Sequence, residues 1–481
     1  MWEGLSFLSL SLRALYCDCF ASHEEMLLRT SSLWNYRSIS YIRSSLRYSS
    51  SSSSSSLYAS SSSSSSCETI DLSQYLLSGA DYRKAPKIPD FIGPLRIGLT
   101  RDGRGRGLFL TEDVSVGQIL IASNAFSAAY NDDGNLEVYD KVVSIVKSSP
   151  RALRQLYSLA GSVEKHHHSH HVPNVPKVEL FDQKVSDSEF FSLDEEENED
   201  MAFDEARIKH IIITNSFSGK IPAPRSEPEL ESKINALWLL PSFVNHSCSP
   251  NVGRLLVGEV MIFIAAKDMK ANEEISICYT DCMSPLRKRD KVLIRTGGGF
   301  DCNCERCVLE KMLEPELQQL SDSYLEHYDK AAEEVYSVAT TRAKGPFPAS
   351  KKLASIFIEV KRKLDTLTHL TEREKQWILG GYSNAFLANF LTSGYTRDFK
   401  EPEEFATSTA MEVVLAMYET VPGFLRTVTF AVMLATMSPD PEYRSVLVQL
   451  ARDECIRMYG KQRPDVIRHM AVQAVELVPF F

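Results

Sequence analysis

Three segments decide the fold of this chain: NHSCSPN at residues 245–251, NEEISICYTD at residues 272–281 and DCNCERC at residues 301–307. In the last segment, Cys302, Cys304 and Cys307 are spaced as C-x-C-x-x-C. Three thiolates this close in sequence suit a tetrahedral soft metal ion, for which zinc is the usual choice. The cluster therefore predicts a zinc site, with a chance grouping of unrelated cysteines as the alternative.

A structural zinc site has four ligands, so one must come from outside this cluster. Cys248 is the natural candidate, because it lies in a polar segment rich in turn-forming residues. The chain has ten cysteines, and six of them fall between Cys248 and Cys307. This clustering is typical of a metal site and not of the disulfide framework of a small secreted protein. We interpret Cys278 and Cys282, which flank Tyr279, as free thiols.

Taken together, the three segments resemble the SET-domain protein-lysine methyltransferases. Residues 245–251 match the NHSCxPN segment of that family, and residues 272–279 match its GEE(L/I)xxxY segment with Asn272 in place of glycine. The clustered cysteines match the post-SET cysteines of the family. The resemblance is strongest to the SET/MYND proteins, in which the SET cysteine completes the zinc site. The MYND zinc module itself is missing, because residues 131–206 contain no cysteine.

The resemblance implies an enzyme that transfers methyl groups from S-adenosyl-L-methionine to lysine side chains of a protein, histone or non-histone. The reaction needs a neutral amine, and burial in a narrow aromatic channel lowers the pKa of a lysine. In the family a tyrosine hydroxyl lies beside the transferred methyl group, which implies that Tyr279 is catalytic. Phe217 and Tyr279 are implied to line the substrate channel.

The same resemblance implies which residues bind the cofactor. GRGRGLF at residues 103–109 resembles the GRGLFA opening of SET domains, whose glycines allow the backbone to approach the cofactor closely. IIITNSF at residues 211–217 predicts a buried strand and resembles a strand end where an asparagine contacts the cofactor. The expected cofactor contacts are Arg104, Arg106, Gly107, Asn215, Asn245, His246, Tyr279 and Phe300.

One position departs from the family. Where SET/MYND proteins often carry a second tyrosine before the post-SET cysteines, this chain has Gly297, Gly298 and Gly299. A wall of the lysine channel is thereby lost. The alternative to an enzyme is a catalytically inactive SET-fold protein that acts as a protein-interaction module.

Length and charge limit the remaining possibilities. With 481 residues the chain is long enough for two or three domains. Its formal net charge of -10 argues against a general nucleic-acid-binding surface, which would be basic. No uninterrupted apolar run approaches the ~20 residues that a transmembrane helix needs. We expect a monomer that binds a protein substrate, with neither nucleic acid nor a membrane as a partner.

The leader, residues 1–85, is rich in serine and arginine and is expected to be disordered, because its two serine tracts cannot form a core. Between Met26 and Ser66 it has arginines but no acidic residue, which is typical of an organellar transit peptide. We therefore expect a mitochondrial or chloroplast protein. Acidic residues before Met26 spoil the pattern, which suggests that translation starts at Met26. The alternative is a disordered tail without a targeting function, and then a nuclear or cytoplasmic location.

The chain as a whole predicts an α+β fold. By the resemblance, residues 86–130 and 207–310 form the two halves of a SET-domain β-clip fold, the second with the post-SET zinc segment. Residues 131–206 are a partly disordered insertion with a helix over 136–159, a histidine tract and an acidic run. Residues 311–481 have helical periodicity and resemble the tetratricopeptide-like domain of SET/MYND proteins. Further helices are predicted near residues 350–368, 371–394, 402–419, 424–437, 441–459 and 464–477.

Overall fold

The structure, a computed structural model, describes most of the chain after residue 69. The described ranges are 70–78, 88–130, 134–161, 174–193, 202–221, 232–295, 299–341, 343–393, 407–438 and 440–477. Most of the predicted leader lies outside these ranges, and so do the histidine tract, the acidic run, Gly297 and Gly298. By its internal contacts the chain divides into two units, residues 74–277 and residues 278–481 together with residues 70–73.

The first unit is built from short strands. Within its described residues these are β1 (Phe91–Ile92), β2 (Leu95–Leu99), β3 (Arg106–Leu110), β4 (Ile119–Asn124), β5 (Ser127–Tyr130), β6 (Phe217–Ile221), β7 (Ser232–Leu237), β8 (Asn245–His246), β9 (Val252–Val257), β10 (Val260–Ala265) and β11 (Ser276–Ile277). One antiparallel sheet has the order β1-β4-β10-β9, and a second has the order β5-β7-β6. β2 pairs with β3 in antiparallel fashion, whereas β8 and β11 are parallel.

Burial explains the central position of β10. All six residues of VMIFIA are buried, and such a continuous apolar run suits a strand that is covered on both faces. Phe263 lies opposite Ile121 of β4 and opposite Arg254 of β9. The apolar core of this unit also includes Trp238, whose indole N–H donates to the carbonyl oxygen of Glu259 at 2.9 Å.

The described helices are numbered in chain order. They are α1 (Ser73–Ser78), α2 (Gly134–Ser148), α3 (Pro150–Tyr157), α4 (Asp187–Phe190), α5 (Glu205–Asn215), α6 (Leu286–Arg295), α7 (Glu305–Thr341), α8 (Pro348–Thr366), α9 (Glu372–Gly380), α10 (Ser383–Ser393), α11 (Thr407–Thr420), α12 (Leu425–Met437), α13 (Pro441–Tyr459) and α14 (Pro464–Leu477), with 3₁₀ turns at Val178–Phe181 and Leu240–Phe243.

The helix predicted over 136–159 is present, but it is divided into α2 and α3. The division falls at Ser149 and Pro150, because proline lacks the N–H that would continue the helix. Ser149 caps α3: its side chain accepts a hydrogen bond from the amide of Ala152 at 3.1 Å.

The strand predicted within residues 211–217 is wrong in its first part, because Ile211–Ile213 belong to α5. Asp204 starts this helix by accepting hydrogen bonds from the amides of Ala206 and Arg207 at 2.8 and 3.1 Å. The buried residues of α5 are Ile208, Ile211, Ile212 and Asn215, which is the spacing of a helix face. The strand begins only at Phe217.

The second unit is helical, as its periodicity predicts. α8, α11, α12, α13 and α14 each overlap a predicted helix, whereas the helix predicted over 371–394 is divided into α9 and α10 at Gly381 and Tyr382. Strands in the first unit and helices in both units confirm the α+β class. The tetratricopeptide-like arrangement of the helices stays a prediction. Among the described residues, no helix is both long and apolar enough to span a membrane.

Candidate active site and cysteine site

The NHSC segment and the strand that leads to Tyr279 lie side by side. In the parallel pair of β8 and β11, Asn245 is opposite Ser276. His246 is opposite Ile277 in the same pair. Tyr279 follows two residues later in the chain, and 40% of its surface is exposed. The pairing therefore brings together two segments that are about 30 residues apart in sequence, as the resemblance of both segments to SET-domain proteins implies.

Asn251 joins the end of NHSCSPN to the segment before Tyr279. Its side-chain amide donates to the carbonyl oxygen of Glu274 at 2.8 Å. Its side-chain oxygen accepts from the amide of Ser276 at 2.7 Å and from the hydroxyl of that residue at 3.3 Å. Asn251 is 8% exposed, so these contacts satisfy backbone groups that water reaches poorly.

Glu274 is the point where the three cofactor-related segments meet. Its carboxylate accepts from the guanidinium of Arg104 at 2.9 Å and from the side-chain amide of Asn245 at 2.8 Å. The same amide donates to the backbone oxygen of Arg106 at 2.9 Å. A Cβ at Gly107 would lie 2.6 Å from a Glu274 carboxylate oxygen, so glycine is required there for space.

Arg104 is fixed by several acceptors. It pairs with Asp102 at 2.5 Å and donates to the carbonyl oxygen of His246 at 3.3 Å, in addition to its contact with Glu274. Burial alone would lower the pKa of Arg104, but its hydrogen bonds and ion pairs with Asp102 and Glu274 raise the pKa above its ordinary value. The guanidinium is therefore a permanent cation that ties the glycine-rich loop to β8.

Gly103 and Gly105 give this loop its shape. Their φ angles are 75° and 99°, in the left-handed region that favours glycine. A Cβ added at either position would meet no atom within 4 Å. Glycine is therefore required here by backbone conformation, and the space beside the loop is open enough to admit a ligand.

The side chains of Arg106 and Asn215 donate hydrogen bonds to backbone carbonyl oxygens of the first unit. The Arg106 guanidinium donates to the carbonyl oxygens of Ser158 and Asn174 at 2.8 and 2.9 Å. The Asn215 amide donates to the carbonyl oxygens of Ala160 and Ile211 at 2.8 and 2.7 Å. Any cofactor contact from these residues would add to these bonds, and their cofactor-binding roles stay predictions.

Phe217 and Phe300 are both partly buried. The ring of Phe217 contacts Trp238 edge to face, with 6.1 Å between the ring centroids. Gly299, just before Phe300, has a φ of 75°. Such a backbone is readily adopted by glycine and rarely by tyrosine. The channel role of Phe217 and the cofactor contact of Phe300 remain predictions.

Three of the four cysteines predicted to bind zinc lie together in the second unit. The sulfur atoms of Cys302, Cys304 and Cys307 are within 4.8 Å of one another. A tetrahedral zinc ion with Zn–S bonds of about 2.3 Å separates its sulfur ligands by roughly 3.8 Å. The cluster is therefore of a size and chemistry that could hold zinc.

Cys248 has a histidine beside it. The Nε2 atom of His246 lies 3.1 Å from the Cys248 sulfur, and His246 is 4% exposed. The imidazole is thus directed at a cysteine that is predicted to bind zinc. The cofactor-binding role that the resemblance implies for His246 would fall to its backbone, which is part of β8.

Cys278 and Cys282 are paired as a disulfide, which corrects their interpretation as free thiols. Their Cα atoms are 6.6 Å apart, within the range that a disulfide can span. The pair encloses Tyr279. The spacing of four residues gave no clear signal, since the surrounding cysteines are typical of metal ligands.

Sequence reasoning missed Glu274 and Asn251 as organising residues. Both belong to the recognised segments, but their contacts are made to backbone and side-chain groups far away in sequence. It also missed Arg289, Arg306 and Glu310, which form a buried charge network beside Cys307. Arg306 belongs to the DCNCERC segment, but nothing in the sequence indicates that it shares a buried carboxylate with Arg289.

Comparison with known protein families agrees with this geometry. The family described as the SET domain matches residues 105–280. The chain contains a SET domain. The match extends from the glycine-rich loop to the residue after Tyr279, and so includes β3, β8 and β11. The similarity to SET-domain lysine methyltransferases predicted from the three segments is confirmed.

Several proteins are similar to parts of this chain. A protein named methyltransferase from Gibberella zeae is 25% identical over 254 residues, which are 48% of this chain and 34% of the relative. The histone-lysine N-methyltransferase SMYD3 of Mus musculus is 38% identical over 96 residues, 20% of this chain and 21% of the relative. A SET and MYND domain-containing protein of Dictyostelium discoideum is 36% identical over 92 residues, 19% of this chain and 18% of the relative. The chain thus covers about a third or less of the length of these relatives.

Asn272 shows how this SET domain accommodates its departure from the family pattern. Asn272 has a φ of 69° and is the only non-glycine residue in the left-handed region among those described. Asparagine tolerates this region better than other side chains. Its side-chain oxygen also accepts a hydrogen bond from Arg96 at 3.2 Å. The turn that glycine makes in the family pattern is therefore kept.

Proposed function

We propose that this SET-domain protein is an S-adenosylmethionine-dependent protein-lysine methyltransferase. The observation that carries the proposal is the SET match over residues 105–280, within which Asn245 and Glu274 hold the glycine-rich loop beside β8. The names of its relatives, several of which are histone-lysine methyltransferases, support the same reaction. The substrate would be a protein with a target lysine, histone or non-histone.

In this proposal, bound S-adenosylmethionine supplies the methyl group as part of a sulfonium. Asn245 and the backbone of His246 hold the cofactor, and the carboxylate of Glu274 fixes the orientation of the Asn245 amide. Tyr279 orients the lysine amine through its hydroxyl, and Phe217 contributes an apolar wall that excludes water. Fixing both groups in a near-attack arrangement removes much of the entropic barrier of the reaction.

The test compares Tyr279→Phe with Tyr336→Phe, a matched change at another exposed tyrosine in α7. We expect all three proteins to bind S-adenosylmethionine in calorimetry, because the hydroxyl is not needed to hold the cofactor. Only Tyr279→Phe should lose transfer of radioactive methyl groups to protein extracts, by at least about tenfold. General acid–base and orienting groups typically contribute about 10²–10⁴-fold.

Two results would contradict this proposal. Tyr279→Phe with full activity would remove Tyr279 from catalysis. A wild-type protein that neither binds the cofactor nor labels any extract would leave the catalytically inactive, protein-binding SET fold as the better description.

We further propose that Cys248, Cys302, Cys304 and Cys307 bind one zinc ion. The softness of four thiolates and the closeness of Cys302, Cys304 and Cys307 in the second unit support zinc. Metal analysis of Cys248→Ser should show loss of stoichiometric zinc. The control is Cys455→Ser, which changes a buried cysteine in α13 and should keep the metal. Retention of zinc by Cys248→Ser would refute its assignment as the fourth ligand.

We also propose that residues 26–85 direct the protein to a mitochondrion or chloroplast. The support is the arginine-rich, acid-free composition between Met26 and Ser66. A fluorescent protein fused behind residues 26–85 should enter an organelle. A cytosolic signal would favour a tail without a targeting function and a nuclear or cytoplasmic enzyme.

A further inference from the structure

A buried charge network lies beside the three-cysteine segment of the second unit. Arg289 in α6 and Arg306 in α7 are both 0% exposed, and they share the carboxylate of Glu310. Arg289 donates to one carboxylate oxygen at 2.8 Å, and Arg306 donates to the other at 2.7 Å. The two guanidinium groups are thus fixed in relation to each other by one bidentate acceptor.

The network lies against the sulfur of one cysteine of this segment. Arg289 Nη2 lies 3.7 Å from the sulfur of Cys307. A metal-bound cysteine is a thiolate, which keeps part of its negative charge and accepts such a hydrogen bond. When Cys307 is a metal ligand, its thiolate would therefore face the guanidinium of Arg289.

The other ends of both arginines hold the loop that follows Tyr279. Arg306 Nη1 donates to the carbonyl oxygen of Cys282 at 2.8 Å. Arg289 Nη1 donates to the carbonyl oxygen of Ser284 at 2.5 Å. Both acceptors lie within five residues of Tyr279, so the network joins the cysteine segment to the backbone that carries the proposed catalytic residue.

The break between α9 and α10 makes room for these contacts. A Cβ at Gly381 would lie 3.1 Å from Arg306 Nη2 and 3.2 Å from the carbonyl oxygen of Ser284. A larger residue would require the guanidinium or the loop to shift by a few tenths of an ångström. At Gly381, between α9 and α10, there is thus no side chain beside Arg306 and the carbonyl oxygen of Ser284.

We propose that Arg289 is a positioning residue that neutralises the Cys307 thiolate and, with Arg306, holds the loop of residues 282–284 behind Tyr279. The proposal rests on the zinc site and the methyltransferase activity proposed above. An alternative role is simple stabilisation of the helices. Buried ion pairs often contribute little net stability compared with apolar side chains, so stability alone would not require this arrangement.

The test measures release of zinc from the full-length protein to a chromogenic chelator. The variants are Arg289→Lys, which keeps the charge but loses the planar fork, and Arg289→Met, which loses both. The control is Arg287→Met on the same helix, where the arginine pairs with Asp322 and is about one-third exposed. We expect zinc release from both Arg289 variants to be about 10–100-fold faster than from the control, the range found for residues that support metal ligands.

A second measurement separates positioning from general stability. We expect Arg289→Lys to lower kcat by about tenfold or more, with less than a twofold change in the KM for S-adenosylmethionine, while its Tm stays close to that of the control. Glu310→Gln, which frees both arginines without touching a cysteine, should lower kcat in the same way.

The outcomes distinguish the proposals. If wild type contains zinc and methylates protein, but Arg289→Lys matches Arg287→Met in zinc release and kcat, the role of Arg289 is refuted while the enzyme stands. If the Arg289 variants lose zinc and activity only in proportion to a fall in Tm, their role is structural and the inference is wrong. If wild type contains no zinc, the zinc site fails, and the inference fails with it.

Discussion

The carboxylate of Glu274 offers the sharpest test of how the site is held together. Glu274→Gln keeps the size of the side chain but replaces one carboxylate oxygen with an NH₂ group. In the native protein the two oxygens face two donors, Arg104 at 2.9 Å and Asn245 at 2.8 Å. The glutamine amide can therefore accept from only one of them, and its NH₂ group must face the other.

The expected loss of cofactor affinity in Glu274→Gln follows from these two contacts. The ion pair with Arg104 is partly exposed, with 32% and 20% of the two side chains accessible, so it contributes at most about 1 kcal/mol. The hydrogen bond to Asn245 contributes about 1 kcal/mol more. We expect a loss of about 1–2 kcal/mol in cofactor binding, or roughly 5–30-fold in Kd, because the Asn245 amide loses its fixed orientation.

Isothermal titration of S-adenosylmethionine measures this loss. The matched control is Glu273→Gln at the neighbouring residue, whose carboxylate lies 3.6 Å from Lys267 and is 37% exposed. Glutamine at that position can still accept from the amide of Lys270, as Glu273 does at 2.8 Å. The reasoning is refuted if the two variants bind the cofactor with Kd values within twofold of each other.

Three further outcomes are expected. Asn272→Gly should leave stability within about 0.5 kcal/mol of wild type in thermal denaturation, whereas Asn272→Val should cost about 1–2 kcal/mol at its φ of 69°; equal effects would contradict the backbone argument. Burial raises the pKa of Glu454 from 4.5 to about 7, so the folded protein holds this proton more tightly than the unfolded chain does. The contribution of the protonated side chain to the free energy of unfolding is therefore complete below pH 4.5 and is lost as the pH rises through 7. Glu454→Gln should therefore reduce the fall in the free energy of unfolding between pH 5 and 8 by up to about 3 kcal/mol. Urea denaturation measures this fall, and an unchanged pH profile would contradict the raised pKa of Glu454. Under denaturing, non-reducing conditions, Cys278 and Cys282 should resist alkylation until a reductant is added; immediate labelling of both would show that they are not paired.

The helical third of the chain could largely be predicted from its apolar spacing. The helix expected over 441–459 begins and ends at those residues, and the one expected over 424–437 differs by one residue. The strand expected at Ile211 failed for a physical reason. Three consecutive isoleucines favour a strand locally, but the cap at Asp204 and the buried face of α5 favour a helix. Tertiary burial decided between the two.

The candidate site could be predicted only where short motifs mark it. Cys302, Cys304 and Cys307 were found because thiols at close spacing have few other uses, and these three do lie together. Arg289 and Glu310 are 21 residues apart and satisfy each other through side chains on two helices. Such a pair leaves no pattern in the sequence, since charged residues on helices are usually exposed.

Asn272 and Gly107, both near Glu274, show two different physical reasons for which a position can favour glycine. Asn272 stands where the family pattern has glycine, and what is required there is a positive φ, which asparagine also provides. At Gly107 the φ is ordinary and the requirement is space, because a Cβ would lie 2.6 Å from the Glu274 carboxylate and 2.9 Å from the Asn245 amide. Glycine is the only amino acid without a Cβ, so it alone leaves this space free. The first position can therefore change without disturbing the site, whereas a Cβ at the second must displace the side chains of Glu274 and Asn245.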